Sequence, residues 1–192
     1  MKKLFITLFV LLSLGVNAQT ESHLKFKGIP ITGTLDNMIN KLEAQGYVLT
    51  ESDNKAAILY GKFANEYCDI IVCVTPNTNI VYKIIVVFES VDNWWSLKSD
   101  YYKLKDQISS KYDVTATKEN ETFFKPYYEG DGYELQALRN GKCVYYSKFN
   151  VDYGEIAVLI SKIECGICLY YTDSIGDNLN KEEENQSSYD DL

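Results

Sequence analysis

Apolar residues recur at helical spacing in two segments of the chain. After Thr34, a candidate N-cap, the first segment runs until Gly46, and its apolar residues are Leu35, Met38, Ile39 and Leu42. The second begins near Asp92, and its stripe consists of Trp94, Leu97, Tyr101, Leu104 and Ile108. We therefore predict two helices, with Trp94 in the core and Trp95 either at the edge of the core or in an interface.

The rest of the pattern is that of short β-strands, in which apolar and polar residues alternate. Four strands are predicted after the first helix, at residues 47–52, 57–63, 67–75 and 80–88, and four after the second, at 133–139, 142–150, 155–163 and 167–172. Asn140-Gly141 is typical of a tight hairpin, and Asp53-Asn54 lies at the corresponding turn of the first group. Residues 118–132 are expected to form an extra hairpin arm, and residues 24–31 an edge strand.

The two groups of strands also resemble each other in sequence. A shift of 86 positions, which places Asn54 over Asn140, aligns residues 58–74 with residues 144–160 without a gap. Six of these seventeen positions are identical: Tyr60/Tyr146, Lys62/Lys148, Phe63/Phe149, Tyr67/Tyr153, Ile70/Ile156 and Val72/Val158. Such a match favours internal duplication. The predicted fold class is α+β, with two tandem, pseudo-symmetric units that each consist of a helix and an antiparallel meander of about four strands.

The N-terminus has the three parts of a secretory signal peptide. Lys2 and Lys3 precede an apolar run from Leu4 to Leu14, and small residues lead to a cleavage site after Ala18. The run is shorter than the roughly 20 apolar residues of a membrane-spanning helix. We expect export to the periplasm or the extracellular space of a Gram-negative-type bacterium, as a soluble chain without a transmembrane segment.

These patterns divide the chain into four parts. Residues 1–18 are the predicted signal peptide, residues 19–89 the first helix-and-sheet unit, and residues 90–172 the second unit with its hairpin arm. Residues 173–192 contain seven acidic residues and one lysine. Because such a segment can bury little apolar surface, we predict an acidic, disordered tail.

The charge balance excludes several classes of function. The chain has 27 acidic against 19 basic residues and a formal net charge of −8, so it lacks the positive field of a nucleic-acid-binding protein. Its one histidine, His23, argues against histidine-based zinc sites and against a Ser-His-Asp triad. We predict no metal, no cofactor and no enzymatic activity.

Two groups of residues are nevertheless candidates for chemistry. Cys165-Gly-Ile-Cys168 has the spacing of a redox motif, but no helix pattern follows it, which favours a structural role for these cysteines. The chain has five cysteines, so at least one is unpaired in a monomer. Glu129, Asp131 and Glu134 form an acidic cluster, and a hydrolase would need these carboxylates to converge in a cleft. The two intervening glycines indicate a hairpin turn instead.

The arrangement resembles a known fold family. A tandem of helix-plus-four-strand units behind a signal peptide is similar to the β-lactamase-inhibitor-protein-like fold, and Gly33-Thr34-Leu35-Asp36-Asn37-Met38, through Leu42 and Gly46, is similar to the helix start of such modules. The group includes the secreted inhibitor and small outer-membrane assembly proteins of the BamE type. This chain departs from the BamE type because it carries two units and has no cysteine directly after the cleavage site. The resemblance implies the fold, and no site residue is carried over from it.

One face of each predicted sheet combines tyrosine with charged residues. Strand alternation places Tyr60, Lys62, Tyr67 and Asp69 on the face away from the helix, and the second copy repeats this with Tyr146, Lys148, Tyr153 and Glu155. A four-residue turn would pair Tyr60 with Asp69 and Lys62 with Tyr67. The corresponding second-copy pairs are Tyr146 with Glu155 and Lys148 with Tyr153. Alternation alone leaves open whether this face is exposed or buried between the two halves.

Tyrosine suits an exposed interface because it combines a large contact area with a hydroxyl group and few rotatable bonds. We therefore predict a non-enzymatic, exported protein-binding module, inhibitor-like or adaptor-like, in which tyrosines supply contact area and charges set the register. Trp95 is a further candidate contact. The expected partner is a protein of the cell envelope. The alternatives are a structural or envelope-assembly component and, third, a carboxylate-dependent hydrolase.

Overall fold

The computed structural model describes residues 22–190, so the predicted signal peptide lies outside the described residues. The elements in chain order are β1 (Lys25–Phe26), β2 (Ile29–Pro30), α1 (Leu35–Glu43), β3 (Val48–Ser52), β4 (Ala56–Phe63), β5 (Glu66–Val74), β6 (Val81–Phe88), α2 (Trp94–Tyr112), β7 (Lys118–Phe123), α3 (Glu134–Arg139), β8 (Cys143–Val151), β9 (Gly154–Ile160), β10 (Ile167–Asp173) and α4 (Ser174–Asp190). The protein is therefore a mixed α+β structure, as predicted.

Eight of the strands form one antiparallel sheet. Their spatial order is β3-β4-β5-β6-β10-β9-β8-β7, so β6 and β10 pair in the middle and β3 and β7 lie at the edges. The helices α1 and α2 pack on one face of this sheet, α1 against β3 to β5 and α2 against β8 to β10. We call this the inner face, and the opposite face the outer face.

Both predicted helices are confirmed, as is the predicted N-cap Thr34, and the structure adds Asn93 as the N-cap of α2. The Thr34 hydroxyl accepts a hydrogen bond from the Asn37 N–H at 3.4 Å, and the Asn93 side chain accepts one from the Ser96 N–H at 2.9 Å. These bonds satisfy backbone donors that have no partner within the helix. Trp94 is buried in the core and Trp95 is 58 % exposed, so the expected difference between the two tryptophans holds.

Residues 24–31 do not form an edge strand of the large sheet. They fold into the separate two-stranded hairpin β1–β2, because Lys27 (φ +48°) and Gly28 (φ +82°) turn the chain back on itself. The hairpin lies on the inner face, where the Phe26 ring stacks on Phe63 at a centroid distance of 5.4 Å and meets Tyr171 edge-on at 5.3 Å. It therefore contributes to the core and not to the sheet.

The predicted strand at residues 133–139 is wrong, and so is the hairpin arm. Residues 134–139 form the helix α3, which suits their run of good helix formers (Glu, Leu, Gln, Ala, Leu and Arg). Asn140-Gly141 ends this helix, with the Gly141 N–H donating to the Leu138 carbonyl at 2.9 Å, and does not form a tight hairpin. The eighth strand of the sheet is supplied by β7, which pairs with β8 and occupies the edge.

The predicted disordered tail is also different in the structure, where α4 begins directly after β10. The reason is Asp173, which is fully buried. Its carboxylate accepts the Gly176 N–H at 2.9 Å, as an N-cap does, and the Leu24 N–H at 2.8 Å. It also lies 3.0 Å from the His23 ring nitrogen Nδ1. One carboxylate thus starts the helix and holds the β1 segment.

Candidate partner-binding face

The most exposed aromatic pair of the sheet lies on the outer face of β4 and β5, which we call the open half. Tyr60 and Tyr67 are 38 % and 56 % exposed, and their rings stack with centroids 5.5 Å apart and planes inclined by 8°. Lys62 and Asp69 flank them, and both are exposed. Four of the nine predicted partner-binding residues are thus brought together on open surface.

The β4–β5 hairpin explains this arrangement. Its two-residue loop consists of Ala64 and Asn65, both at positive φ (+50° and +73°), the geometry whose twist matches that of paired strands. The loop sets a register in which Tyr60 faces Asp69 and Lys62 faces Tyr67, and this confirms the predicted first-copy pairs. Because these are neighbouring rows on one face, the two rings reach each other diagonally.

The surroundings of Tyr60 favour the neutral form of its side chain. Partial burial, followed by the negative charge of Glu89 and the neighbouring Tyr67 hydroxyl, raises the pKa of Tyr60. The hydroxyl therefore stays protonated at neutral pH and can act as donor or acceptor toward a partner. A tyrosine in this state offers both apolar area and a hydrogen bond.

The predicted second-copy pairs are wrong. Tyr146 faces Leu159 instead of Glu155, and Lys148 faces Ala157 instead of Tyr153. The cause is the turn, which is formed by Asp152 and Tyr153 and so lies two residues later than the 86-residue shift requires. A different turn changes the register of the whole hairpin.

The remaining predicted residues therefore have different environments from those of the open half. Tyr146 is half-buried on the outer face. Lys148 is half-buried and forms an ion pair with Glu155, whose hydrogen bond raises the pKa of that lysine. Tyr153 lies at the tip of the β8–β9 hairpin, and Trp95 lies on α2, so neither lies in the open half.

The two sequence copies nevertheless share one feature in the structure. The pairings place Tyr60 and Tyr146 in one continuous cross-strand row, whose intervening members are Asp69, Val87, Cys168 and Leu159. The two tyrosines are five strand spacings apart, or about 24 Å. They lie on a common face without being able to contact one another.

Two features of the outer face were not predicted from the sequence. Val48 on the edge strand β3 faces Tyr60 and is 62 % exposed, so it extends the open half by an apolar side chain. Several apolar outer-face residues are only half-buried: Ile58, Ile71, Ile85, Val87 and Leu159. The sequences of β5 and β6 do indicate that the outer face is partly covered, because their runs of consecutive apolar residues are typical of strands covered on both faces.

The helix α4 covers part of the outer face. It contacts β6, β9 and β10, and a Cβ atom on Gly176 would lie only 2.7 Å from the Cβ of Tyr82. Thr172 and Ala157, which face outward on β10 and β9, are buried. We call this part, the outer face of β9 and β10 with its Lys148–Glu155 pair, the covered half.

A second contact holds α4 farther along its length. Glu183 is buried and accepts hydrogen bonds from the Asn77 N–H at 2.6 Å, the Thr78 N–H at 3.2 Å and the Thr78 hydroxyl, all in the turn between β5 and β6. Burial opposes ionisation of this carboxyl group, but the hydrogen bonds outweigh it and lower its pKa. Glu183 is thus held as a carboxylate.

The three carboxylates of the candidate hydrolase site take part in local structure. Glu129 forms an ion pair with Lys98. Asp131 accepts the N–H groups of Tyr128 and Tyr133, at 3.0 and 2.7 Å, and Glu134 accepts the Gly130 N–H at 2.8 Å. Each carboxylate therefore organises the loop that leads into α3.

All five cysteines have free thiols. Cys165 lies at positive φ (+50°) in the turn before β10, and Cys168 lies within that strand. Burial raises the pKa of the Cys168 thiol to about 11 and that of Cys143 to about 12, so both are protonated at neutral pH. This state does not suit a thiolate nucleophile.

Within residues 22–190, no group of three or more potential side-chain ligands is placed to hold a metal ion. In the same range no helix combines the length and the apolar character that crossing a membrane requires. Comparison of the chain with protein-family models, with curated proteins and with solved structures finds no match.

Proposed function

We propose that the protein is a non-enzymatic binding module that engages a protein partner through the open half of its outer face. The observation that carries this proposal is the stacked, exposed pair of Tyr60 and Tyr67, flanked by Lys62 and Asp69 and extended by Val48. Large aromatic side chains with nearby charges are typical of residues that dominate the binding energy of protein interfaces. The charges would set orientation and reject wrong partners.

We further propose that the chain consists of two copies of one helix-plus-meander unit, as in the β-lactamase-inhibitor-protein-like fold. The sheet order supports this, because β3 to β6 and β7 to β10 are two four-strand meanders that meet at the β6–β10 pair. Each meander follows a helix that packs on the inner face. In this proposal the second copy lost its open tyrosine patch when its turn moved by two residues.

Export through an N-terminal signal peptide places the proposed partner in the cell envelope or outside the cell. Residues 1–18 carry this part of the proposal by their sequence pattern, and a processed N-terminus at Gln19 in protein from the envelope fraction would support it. An intact N-terminus in the cytoplasmic fraction would contradict it.

The test of the binding face is an affinity capture from envelope extract with three immobilised chains spanning residues 19–192. These are the unmodified chain, Tyr60→Ser/Tyr67→Ser, and the matched control Tyr146→Ser/Tyr153→Ser. We expect a partner that the unmodified chain and the control retain and that the Tyr60/Tyr67 variant loses.

Circular dichroism and urea unfolding establish that the three chains are folded before capture. Retention of the same partner by all three chains would place the interaction on another surface, and absence of any partner would contradict the proposal. Recovery of the chain within a stable outer-membrane complex would favour the alternative of an envelope-assembly component.

A further inference from the structure

A second candidate site lies on the helix side of the sheet, away from the outer face. It is a cleft of about 630 Å³ between the β1 segment, the end of α2 and the tip of the β8–β9 hairpin. Its volume is within the range of small-molecule sites, about 300–1,000 Å³. The tyrosines Tyr112 and Tyr153 contribute to its walls.

The cleft concentrates positive charge in an acidic protein. Three lysines line it, namely Lys25, Lys27 and Lys111, together with His23, against the single acidic residue Asp152. The net charge of the whole chain is −8. Within residues 22–190, none of these three lysines has an ion-pair partner, whereas Lys98 and Lys148 each have one and Lys105 has two. Unpaired cations that converge on a cleft attract an anion.

Three of these basic groups are restrained before any ligand arrives. The Lys111 ammonium lies 5.0 Å from the centroid of the Tyr112 ring, and the Lys27 ammonium lies 5.0 Å from that of Tyr47. The His23 ring is held by the buried carboxylate of Asp173 at 3.0 Å. Restraint of this kind reduces the entropy cost of binding.

An apolar cavity adjoins the cleft. This second cavity has a volume of about 250 Å³ and shares Lys111 and Tyr112 with the cleft. Its other walls come from α2 and from the inner face of the sheet, and include Leu104, Ile108, Phe63, Leu169 and Tyr171. A cleft lined by lysines therefore lies beside an apolar cavity.

We propose that the cleft and the adjoining cavity together bind an amphipathic organic anion, a medium-chain fatty carboxylate or a ligand of the same chemistry. The carboxylate lies among Lys27, Lys111 and His23, and the alkyl chain lies along the apolar cavity between α2 and the sheet. The lysines supply charge-assisted hydrogen bonds, and the cavity removes apolar surface from water. This site is independent of the open half, because it lies on the opposite side of the sheet.

The test is a fluorescence titration of the chain spanning residues 19–192 with dansylaminoundecanoate, followed by displacement with dodecanoate. The test variant is Lys27→Gln/Lys111→Gln. The control, Lys41→Gln/Lys142→Gln, makes the same change in net charge at exposed lysines that do not line the cleft. We expect affinity roughly tenfold weaker in the test variant and unchanged in the control, because two charged contacts are lost in one and none in the other.

Two further measurements test whether the alkyl chain binds in the apolar cavity. Leu104→Gln, a change in a half-buried wall residue, should weaken dodecanoate binding, and the neutral dodecanol should bind roughly tenfold more weakly than dodecanoate. Equal loss in the two double lysine variants would show that only net charge matters, and failure of the unmodified chain to bind the probe would overturn the proposal. Displacement of the probe by polyglutamate, with Leu104→Gln having no effect, would overturn it in favour of an acidic peptide.

Discussion

The two halves of the outer face begin from similar sequences and end in different environments. In the open half, Tyr60 and Tyr67 stack on each other in solvent. In the covered half, Lys148 and Glu155 pair with each other, and α4 lies against the neighbouring strands. The difference arises from a turn displaced by two residues and from one added helix. Similar residues thus remain exposed only where the turn keeps their register and no helix covers them.

The largest loss of stability is expected from Asp173→Ala, which removes the carboxylate that starts α4 and so holds the cover of the covered half. The buried N–H groups of Leu24 and Gly176 would lose their acceptor, and the helix would lose its cap. We expect the free energy of unfolding to fall by about 2–4 kcal/mol in urea denaturation. Asp173→Asn, which keeps an oxygen for the cap, should lose clearly less; equal losses would contradict the capping role.

The next effect is expected from Glu183→Ala, which releases α4 from the turn between β5 and β6. Three donors from Asn77 and Thr78 would lose their acceptor, so the free energy of unfolding should fall by about 1–3 kcal/mol. Proteolysis within α4 should become faster at the same time. The exposed neighbour Glu182→Ala is the matched control, and an equal effect there would contradict the contact.

The same contact should depend on pH in a defined direction. The pKa of Glu183 is lowered from its usual value of 4.5, so folding favours the ionised form. Its stabilising contribution is fully present above that value and is lost as the pH falls through the lower, folded-state pKa. The difference in unfolding free energy between the unmodified chain and Glu183→Gln should therefore shrink below about pH 4. A difference that stays constant from pH 7 to the acid end would contradict this sign.

A smaller effect on stability is expected from Tyr60→Ser/Tyr67→Ser in the open half. Removing one exposed cross-strand aromatic pair should cost about 1 kcal/mol in urea unfolding, while partner capture is lost. On the outer face of β8, Tyr146→Ser should leave capture unchanged. A variant that retains the partner despite the loss of both open-half tyrosines would remove the functional difference between the halves.

The smallest effect is expected from Lys148→Met, which breaks the ion pair with Glu155. Because both side chains are partly exposed, the loss should be about 0.5 kcal/mol and should diminish with added salt. Lys62→Met in the open half has no ion pair to lose among residues 22–190 and should leave stability unchanged. A cost of Lys148→Met that persists in high salt would indicate packing instead of charge.

The fold class and most strands could be predicted from the sequence because their signals are local. The stripe from Trp94 to Ile108 and the cap at Thr34 depend only on residues close in the chain, and both helices are confirmed. In the candidate site, the pairs Tyr60–Asp69 and Lys62–Tyr67 follow from one tight turn and are likewise confirmed. The errors at Asn140-Gly141 and at Asp173 have another cause. An Asn-Gly pair can form a hairpin turn or end a helix, and an aspartate can lie in a loop or start a helix. Which of these occurs depends on the residues that pack beside it.

Local alternation of apolar and polar residues directs Tyr60 and Tyr67 to the face opposite the helices, and the helical stripes cover the other face. Which tyrosines stay exposed depends on the tertiary structure. The position of the β8–β9 turn, the place of β7 at the sheet edge and the attachment of α4 through Asp173 and Glu183 all depend on contacts between residues far apart in the chain. A periodic pattern specifies which face a side chain takes, but exposure also depends on whatever else the chain brings to that face.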